Sequence, residues 1–284
     1  MNALEKANQV LQEFEKIANT NTAQDFDPKD GFKVGVDLGT SSIVLVVLDG
    51  NDRPLFGAFE FADVVRDGLV VNYQQSVQIV SRLKQQAEEV LGFSLTAASG
   101  AIPPGTVGNN KRVVANIIES AEMNADQLVD EPTAAALLLG VTEGAVIDVG
   151  GGTTGISVFE DSQPIFVVDE PTGGTHMTLV IAGYFQETIQ EAEIRKRDAA
   201  REKENFPIVR PVVQRMAEIT RQALLQHPTD PLYVVGGAAY FQEFEGEFAK
   251  YLNQPVYKPV YPQFVTPIGI AMSSNIIYPQ GSDG

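Results

Sequence analysis

Residues 37–42 are Asp-Leu-Gly-Thr-Ser-Ser, and residues 148–154 are Asp-Val-Gly-Gly-Gly-Thr-Thr. Each stretch follows a short apolar segment and precedes a run rich in strand-forming residues. Each unit then reaches a proline and two apolar residues, at 54–56 and at 164–166. Because both copies combine an apolar strand, a glycine turn and another strand, they predict a duplicated protein with two lobes. The alternation of predicted strands with predicted helices in the first lobe favours an α/β architecture.

The residue types in the two turns are those that hold phosphate groups. Glycines let the backbone approach an anion closely, and successive N–H groups in such a turn form an anion-binding concavity. Thr40, Ser41 and Thr153 add hydroxyl donors. Asp37 and Asp148 would repel a phosphate unless a metal ion lies between them, and Mg²⁺ is usually held through water and one or two carboxylates. The turns therefore predict a Mg²⁺–phosphate site between the lobes, with two ordinary glycine hairpins as the alternative.

The formal net charge of −17 is the unusual property of the composition. Nucleic acids are bound mainly through lysine and arginine contacts with phosphates, and anionic membranes attract basic segments, so neither is expected as a partner. The chain has no cysteine and two histidines, His176 and His227, which disfavours thiolate or imidazole metal centres. With no signal-peptide pattern and no apolar run near the roughly 18 residues that span a bilayer, the protein is expected to be cytoplasmic.

The remaining patterns divide the chain into parts. Residues 1–31 are predicted to form an amphipathic helix and a linker, and residues 32–145 the first lobe. Residues 146–264 are predicted to form the second lobe, with a helix at 207–225, and a helix at 265–276 is expected to return to the first lobe and complete it. The first helix either packs on the body or docks on another protein. Its apolar face consists of Leu4, Ala7, Leu11, Phe14 and Ile17.

Five motifs resemble those of the actin–Hsp70–sugar kinase superfamily and follow one another along the chain in the same order as in that superfamily. The two glycine turns are similar to its phosphate loops, and residues 130–136 and 266–271 resemble its two connecting helices. Residues 234–237, Val-Val-Gly-Gly, resemble its adenosine loop. Within the superfamily, the length and the short second lobe look most like the ethanolamine-utilization protein J (EutJ) family of Hsp70-like proteins. The resemblance covers residues 32–276 and implies a duplicated ribonuclease H-like, actin-like ATPase fold with a nucleotide cleft between its lobes.

The resemblance also implies roles for individual residues. Asp37 and Asp148 would hold Mg²⁺ through water, and Glu131 would position the attacking water during hydrolysis. For Glu131, an acidic residue that interacts with the helix dipole is the alternative. The phosphates of ATP or ADP would be bound by the amides and hydroxyls of Gly39, Thr40, Ser41, Gly150, Gly151, Gly152 and Thr153.

A second group of residues would bind the nucleoside. Glu193 and Lys196 share a helix face and would both reach the ribose, and Arg197 would lie flat on the adenine. A solvated charged helix is the alternative for these three residues. Tyr240 is either a stacking partner of the base or a core aromatic residue. The remaining cofactor-binding candidates are two glycine pairs, Gly173 with Gly174 and Gly236 with Gly237.

The expected function is that of an ATP-binding, chaperone-like accessory factor, switched by nucleotide, in ethanolamine utilization or a related bacterial microcompartment. ATP or ADP and Mg²⁺ are the expected cofactors, and a microcompartment enzyme or shell protein is the expected protein partner. A chain without the usual outer subdomain, and without a clear counterpart of the catalytic lysine of Hsp70 proteins, is expected to be a weak Mg²⁺-dependent ATPase at most. A small-molecule kinase, a polymerising actin-like protein and a scaffold that binds no nucleotide remain alternatives.

Overall fold

Two five-stranded sheets form the centre of the computed structural model, which describes residues 2–66, 69–102 and 109–279. The strands before the middle of the chain are β1 (Phe32–Leu38), β2 (Ser42–Asp49), β3 (Pro54–Phe61), β4 (Val65–Arg66), β5 (Leu69–Val70), β6 (Ala97–Ile102) and β7 (Asn124–Asp130). The first sheet has the order β3-β2-β1-β6-β7, and β4 pairs with β5 in a separate short hairpin. β1, β2 and β3 are antiparallel, whereas β6 and β7 run parallel to β1.

The second sheet repeats this arrangement. Its strands are β8 (Gly144–Val149), β9 (Thr154–Glu160), β10 (Gln163–Glu170), β11 (Leu232–Val235) and β12 (Val256–Tyr257). They follow the order β10-β9-β8-β11-β12, again with an antiparallel half and a parallel half. This common strand order confirms the duplicated, two-lobed α/β fold that the paired glycine turns predict.

The two glycine turns are closed by equivalent backbone hydrogen bonds. In the first turn the Gly39 amide donates to the Ser42 carbonyl oxygen at 2.9 Å, and in the second the Gly150 amide donates to the Thr153 carbonyl oxygen at 3.0 Å. These bonds close the turns at matching positions between the paired strands. The other amides of each turn are thereby left at its tip, where they can face a ligand.

Helices pack on both sheets. They are α1 (Ala3–Ile17), α2 (Tyr73–Leu91), α3 (Asn109–Ser120), α4 (Glu131–Leu139), α5 (Gly174–Phe185), α6 (Ile189–Arg197), α7 (Glu202–Leu224), α8 (Phe244–Leu252) and α9 (Val265–Met272). α2 and α3 contact the first sheet, whereas α7 and α8 contact the second and α5 packs on α6 and α7. No helix in the described ranges combines the length and the apolarity needed to cross a membrane.

α1 packs on the body of the protein. Asn2 and Glu5 form a capping box at its start, since each backbone amide donates to the other's side chain, at 2.9 and 2.8 Å. Its apolar face is buried against β3 and α4. The Phe14 ring meets the Phe264 ring edge-on, with 5.0 Å between centroids. Of the two interpretations of this helix, the structure shows the one in which its apolar face is covered by its own chain.

α4 and α9, the two helices that resemble the connecting helices, cross at very short range. A Cβ atom at Gly269 in α9 would lie 1.8 Å from the Ala134 carbonyl oxygen in α4. On the other side of α9, a Cβ atom at Gly35 in β1 would lie 2.5 Å from the Ala271 amide nitrogen. Both positions require glycine, because any side chain would push α9 away from its neighbours. These contacts hold α9 against α4 and the first sheet.

The end of α9 differs from the sequence prediction. The helix ends at Met272 and not at residue 276. The reason is a competing partner, because the Asp126 carboxylate accepts hydrogen bonds from the Asn275 amide at 2.6 Å and from the Asn275 side chain at 2.7 Å. An interaction between residues so distant in sequence cannot be read from a local pattern.

The start of α7 also differs from the prediction. The helix begins at Glu202, before the predicted start at residue 207, and Pro207 and Pro211 lie inside it. Proline is favoured in the first turn of a helix, which explains the predicted start. The structure extends the helix because Phe206 and Val209 are fully buried in the core of the second lobe, and their packing outweighs the backbone hydrogen bonds that proline removes.

Candidate nucleotide-binding site

A cavity of about 360 Å³ lies between the lobes where the two glycine turns meet. Its volume falls within the range of about 300–1,000 Å³ that is typical of ligand pockets. Gly152 is buried beside the cavity and Gly173 lies behind its wall, so neither lines it. The predicted site residues that line it are Asp37, Gly39, Thr40, Ser41, Glu131, Asp148, Gly150, Gly151, Thr153, Gly174, Glu193, Lys196, Arg197, Gly236, Gly237 and Tyr240.

The tips of the two turns are in contact across the cavity. A Cβ atom at Gly151 would lie 2.6 Å from the Ser41 hydroxyl oxygen and 3.0 Å from the Thr40 Cβ atom. The absence of a side chain at Gly151 is therefore what allows the turn of the second lobe to approach the turn of the first. A group held between the tips would receive backbone amides and hydroxyls from both lobes at once.

The second turn is supported from behind by the N-terminus of α5. The Gly174 amide donates to the Gly150 carbonyl at 2.9 Å, and the Thr175 amide donates to the Gly151 carbonyl at 2.8 Å. A Cβ atom at Gly173 would lie 2.7 Å from both of these carbonyl oxygens. Gly173 thus serves close packing of the turn on α5, and the carbonyl groups of the turn are directed away from the cavity.

Two carboxylates with little access to solvent lie at the turns, since Asp148 is buried and Asp37 is half-buried. Burial raises the pKa of Asp37 to about 7, and the neighbouring Asp148 adds to this rise. Burial likewise raises the pKa of Asp148 to about 6, although a hydrogen bond of 2.7 Å from the Thr266 hydroxyl opposes the rise. Gly236, at φ +91°, passes so close to Asp148 that a Cβ atom there would lie 2.3 Å from its Oδ1 atom. Both carboxylates are held in an environment that disfavours negative charge.

Glu131 adds a third acidic group to the cavity wall. It is the first residue of α4, behind the N-cap Asp130, whose side chain accepts from the Thr133 amide at 3.0 Å. Burial raises the pKa of Glu131 well above its ordinary value, and Asp148 and Asp37 raise it further. A carboxyl so placed faces the same space as the two aspartates. Its position suits either a role in ordering water or the helix-terminal role.

Sequence reasoning missed Asp169, the fourth acid of the cluster. Asp169 pairs with Gly155 in β9, which in turn pairs with Asp148, so strand register places both aspartates on one line across the sheet. Burial raises the pKa of Asp169, although a hydrogen bond from the Thr153 side chain lowers it. Its Oδ1 atom is buried without a hydrogen-bond partner in the described structure. Extending the strand register outward from the second turn would have placed Asp169 beside Asp148.

The acidic cluster fits a hydrated divalent cation. Among the described residues, no group of three His, Cys, Asp or Glu side chains is arranged to hold a metal ion directly. The pairwise effects between Asp37, Asp148 and Glu131 nevertheless show that these carboxylates share one electrostatic environment. The carboxylate oxygens are therefore near one another but do not surround a single ion position. Such an arrangement suits Mg²⁺, which keeps most of its water and takes one or two carboxylates together with phosphate oxygens.

Lys196 is occupied by the protein itself. Its ammonium donates to the Gly174 carbonyl at 3.1 Å and to the Thr178 hydroxyl at 2.9 Å, and it lies 2.7 Å from the Glu193 carboxylate. An ammonium has three hydrogens, so these partners use its full donor capacity. In this arrangement Lys196 braces the start of α5 and orients Glu193, and a direct contact with a ribose would require it to leave one partner.

Arg197 lies across the cavity mouth. Its guanidinium carbon is 3.9 Å from the centre of the Phe61 ring, which belongs to β3 in the first lobe, and its Nε atom is 2.7 Å from the Glu193 carboxylate. Phe61 also lines the cavity and was missed by sequence reasoning, because a single exposed phenylalanine carries no local signal. Tyr240 donates its hydroxyl to the Lys196 carbonyl and stacks on Phe241 at 4.2 Å, so it is part of the cavity wall and of the core at once.

Comparison with known proteins assigns the chain to a family. The Hsp70 protein family matches residues 65–206, and the cell division protein FtsA family matches residues 145–274. The ethanolamine utilization protein EutJ of Salmonella typhimurium is 38% identical over 84% of this chain and 85% of its own length. EutJ from Carboxydothermus hydrogenoformans, which is known from a crystal structure, has 44% sequence identity to this chain. The two structures give a TM-score of 0.90 over 96% of this chain and 99% of that one. MreB 5 of Spiroplasma citri bound to AMPPNP is 14% identical, with a TM-score of 0.68 over 85% of this chain and 95% of that one, which shows a common fold alone.

Proposed function

The chain belongs to the ethanolamine utilization protein EutJ family of the actin/Hsp70 superfamily, and from this premise we propose that it is an ATP-binding switch. ATP with Mg²⁺ would bind in the cavity between the lobes and favour the state in which the two glycine turns approach each other. A ligand shifts such an equilibrium only through its difference in affinity for the open and closed states. The contacts that provide this difference are those that come from both lobes.

The contact between Gly151 and Ser41 is the observation that carries the proposal. It brings two turns that are closed by matching hydrogen bonds, one from each lobe, to within van der Waals distance beside the carboxylates of Asp37 and Asp148, whose pKa values are raised. A phosphate tail fits such a place because it accepts hydrogen bonds from both turns while a cation offsets the charge of the carboxylates. Two unrelated hairpins would have no reason to meet tip to tip beside acids with raised pKa values.

Each residue has a distinct part in this proposal. Asp37 and Asp148 would hold Mg²⁺ through water, and the ion would supply the positive charge that phosphoryl chemistry requires. Glu131 would accept a hydrogen bond from water near the terminal phosphate. Thr266 fixes the orientation of Asp148 through its hydroxyl. Hydrolysis would be slow, so the bound state would persist long enough for a protein partner to recognise it.

The biological role follows from the family. The relatives in Salmonella typhimurium and Escherichia coli are ethanolamine utilization proteins by name, and the Hsp70 family match supports a chaperone-like action in which nucleotide controls contact with another protein. The expected partner is an enzyme or shell protein of the microcompartment that houses this metabolism, and the expected location is the cytoplasm. The acidic surface implied by the net charge of −17 favours a partner with basic segments.

Calorimetric titration with ATP and with ADP, each with and without Mg²⁺, tests the nucleotide site. We expect binding that requires Mg²⁺ in the wild type and is lost in Asp148→Ala. Asp25→Ala, which removes an exposed carboxylate that does not line the cavity, is the matched control and should titrate like the wild type. Identical titrations for wild type and Asp148→Ala would place the nucleotide elsewhere and overturn the proposal.

A further inference from the structure

The chain that follows α1 is fastened to the edge of the first sheet, where β3 is an end strand. The Asn19 amide donates to the Gly57 carbonyl oxygen at 2.9 Å, and the Asn19 side chain forms hydrogen bonds of 2.8 and 3.1 Å with the backbone of Phe59. The Gln24 amide donates to the Leu55 carbonyl oxygen at 3.1 Å. These bonds occupy backbone groups that an edge strand leaves free, and they tie the end of α1 to the first lobe.

A second set of contacts joins α1 to a part of the chain that is distant in sequence. The Asn8 Oδ1 atom accepts a hydrogen bond of 2.9 Å from the Val260 amide, which lies between β12 and α9. Further along the helix, the Phe14 ring meets the Phe264 ring at 5.0 Å. Because β12 belongs to the second sheet, α1 connects β3 of the first sheet with the 260–264 segment that leaves the second.

The 260–264 segment is part of the cavity wall. Gln263 and Phe264 line the cavity. The Pro262 carbonyl oxygen accepts a hydrogen bond of 3.0 Å from the Gly236 amide, and Gly236 lines the cavity as well. A shift of the segment would therefore move residues that face the ligand.

The same segment has a backbone conformation that needs support. Tyr261 has φ +48° and ψ +54°, in the left-handed region that residues other than glycine rarely adopt. Such a conformation persists only where the surrounding structure holds it. Val260 and Tyr261 pack against the apolar cluster that contains Leu11 and Phe14 of α1. α1 thus supplies part of the packing that keeps the segment in place.

We propose that α1, none of whose described residues lines the cavity, is a positioning element of the nucleotide site. Asn8 and Phe14 hold the 260–264 segment, and this segment holds Gly236 and Phe264 in the geometry that the ligand meets. The inference rests on the proposed nucleotide binding and makes that site depend on a helix outside it. Such coupling is reciprocal, so seating of α1 raises nucleotide affinity, and bound nucleotide makes α1 harder to release.

Calorimetric titration with Mg²⁺–ATP measures the first half of this coupling. Asn8→Leu removes the acceptor of the Val260 amide, whereas Asn8→Asp keeps an acceptor oxygen in the same place. Phe14→Leu keeps an apolar side chain but removes the ring that meets Phe264. Gln12→Ala, on the exposed face of α1, is the matched control. Each variant is titrated at a temperature at which circular dichroism shows it to be folded.

We expect Asn8→Leu to weaken Mg²⁺–ATP binding about 3- to 10-fold, the factor to which the net free energy of one hydrogen bond corresponds. Phe14→Leu should weaken it as well, whereas Asn8→Asp and Gln12→Ala should bind like the wild type. A helix that only stabilised the fold would lower the melting temperature of the variants and leave the affinity of the folded protein unchanged.

Hydrogen exchange measures the second half of the coupling. In the wild type, the amides of residues 7–17 should exchange at least about 5-fold more slowly when Mg²⁺–ATP is saturating, the low end of typical coupling between sites. The amides of α2, which does not line the cavity, are the internal control and should respond less. In Asn8→Leu, the protection that nucleotide gives to α1 should be smaller than in the wild type.

Two results would overturn the inference while the nucleotide site stands. One is a wild-type affinity for Mg²⁺–ATP in both Asn8→Leu and Phe14→Leu, and the other is an exchange rate of α1 that nucleotide leaves unchanged. An equal loss in Asn8→Leu and Asn8→Asp would overturn the part assigned to Asn8. If the wild type does not bind Mg²⁺–ATP, the proposed function itself fails, and the coupling fails with it.

Discussion

Asp37 and Asp148 occupy positions that are unfavourable for carboxylates, since burial raises the pKa of both, and the charge of Asp148 raises the pKa of Asp37 further. A protein that needed only stability would replace them with neutral side chains. Their retention beside two glycine turns makes sense if a cation and phosphates complete the charge balance. At the scale of single residues, the site therefore exchanges stability of the empty protein for affinity toward its ligand.

The first prediction concerns Asp37→Asn in the ligand-free protein. Folding raises the pKa of Asp37 from 3.8 to about 7, so the folded chain binds more protons than the unfolded chain between these values. The free energy of unfolding therefore falls as pH rises from about 4 to about 7, and the loss is complete above that. One pKa unit corresponds to about 1.4 kcal/mol, and with Asp37 half-buried we expect the variant to be more stable than wild type by roughly 2 kcal/mol near pH 8.

Urea unfolding of both proteins across this pH range is the measurement. The difference between wild type and Asp37→Asn should grow as pH rises and become small near about pH 4. Asp25→Asn is the control for a change of net charge and should follow the wild type. A variant that is less stable than wild type at about pH 8 would show that Asp37 is already neutralised by contacts within the folded chain.

Residues of the site were predictable to the extent that their chemistry depends on local sequence. Asp37, Asp148, Glu131 and the turn glycines other than Gly152 belong to short patterns, and the structure brings them to one cavity. Asp169 and Phe61 were not found, because strand register brings Asp169 beside Asp148 and the approach of the opposite lobe brings Phe61 to the cavity. Such long-range proximity has no counterpart in the spacing of neighbouring residues.

At the scale of secondary-structure elements, the close crossing of α4 and α9 depends on the absence of a Cβ atom at Gly269. Gly269→Ala would place a Cβ atom 1.8 Å from the Ala134 carbonyl oxygen, and a backbone atom cannot rotate away. We expect a loss of about 3 kcal/mol or more in the free energy of unfolding, the upper range for overpacking. Thermal and urea unfolding measure the effect.

Gly246 in α8 is the matched control for this substitution. A Cβ atom there would meet nothing within 4 Å, so Gly246→Ala changes helix propensity alone. It should be neutral or stabilise the protein by up to about 1 kcal/mol. Equal behaviour of the two alanine variants would mean that α4 and α9 are farther apart in solution than in the structure.

The N-terminal helix gives a further prediction. Phe14 is fully buried, contacts Phe264, and lies against Gly57, where a Cβ atom would be 2.4 Å from its ring. Phe14→Ala should lower the free energy of unfolding by about 3–5 kcal/mol, because it leaves a cavity in a packed core. Gln12→Ala, on the exposed face of the same helix, should change it by less than about 0.5 kcal/mol. A small effect of both variants would mean that α1 leaves the body in solution and is free to dock.

Element boundaries were predictable only where local signals decide them. β6 and β11 follow from short apolar runs, and α4 begins where Pro132 and its capping residue Asp130 predict a helix start. The start of α7 depends on the burial of Phe206, and the end of α9 depends on the hydrogen bond from the Asn275 amide to the Asp126 carboxylate. Those boundaries are set by tertiary contacts that outweigh intrinsic propensity.

At the scale of the whole molecule, two touching points and one pair of crossed helices define the relation between the lobes. The turns meet at Gly151 and Ser41, the cavity mouth is bridged by Arg197 and Phe61, and α4 crosses α9 on the connecting side. Ligand binding at the first two points would change how often the lobes separate. Because α4 and α9 pack so closely, we expect the lobes to move as rigid bodies about this crossing.

Spin-label distances test this movement directly, since a chain without cysteine accepts labels only where they are introduced. A pair at Gln85→Cys in α2 and Gln190→Cys in α6 reports the distance between lobes, and both sites are exposed. We expect Mg²⁺–ATP to narrow the distance distribution, because binding selects the closed state. A pair within the first lobe, at Gln85→Cys and Glu119→Cys, should not respond. An inter-lobe distribution that is the same with and without nucleotide would exclude a switch.

The most direct test of the account is a crystal structure of the protein grown with Mg²⁺ and a non-hydrolysable ATP analogue. We predict the phosphate groups between the turns at 39–41 and 150–153, with the ion on the side of Asp37 and Asp148. Nucleotide bound outside the space between the two turns, or turns that have moved apart around an empty cleft at saturating ligand, would contradict it.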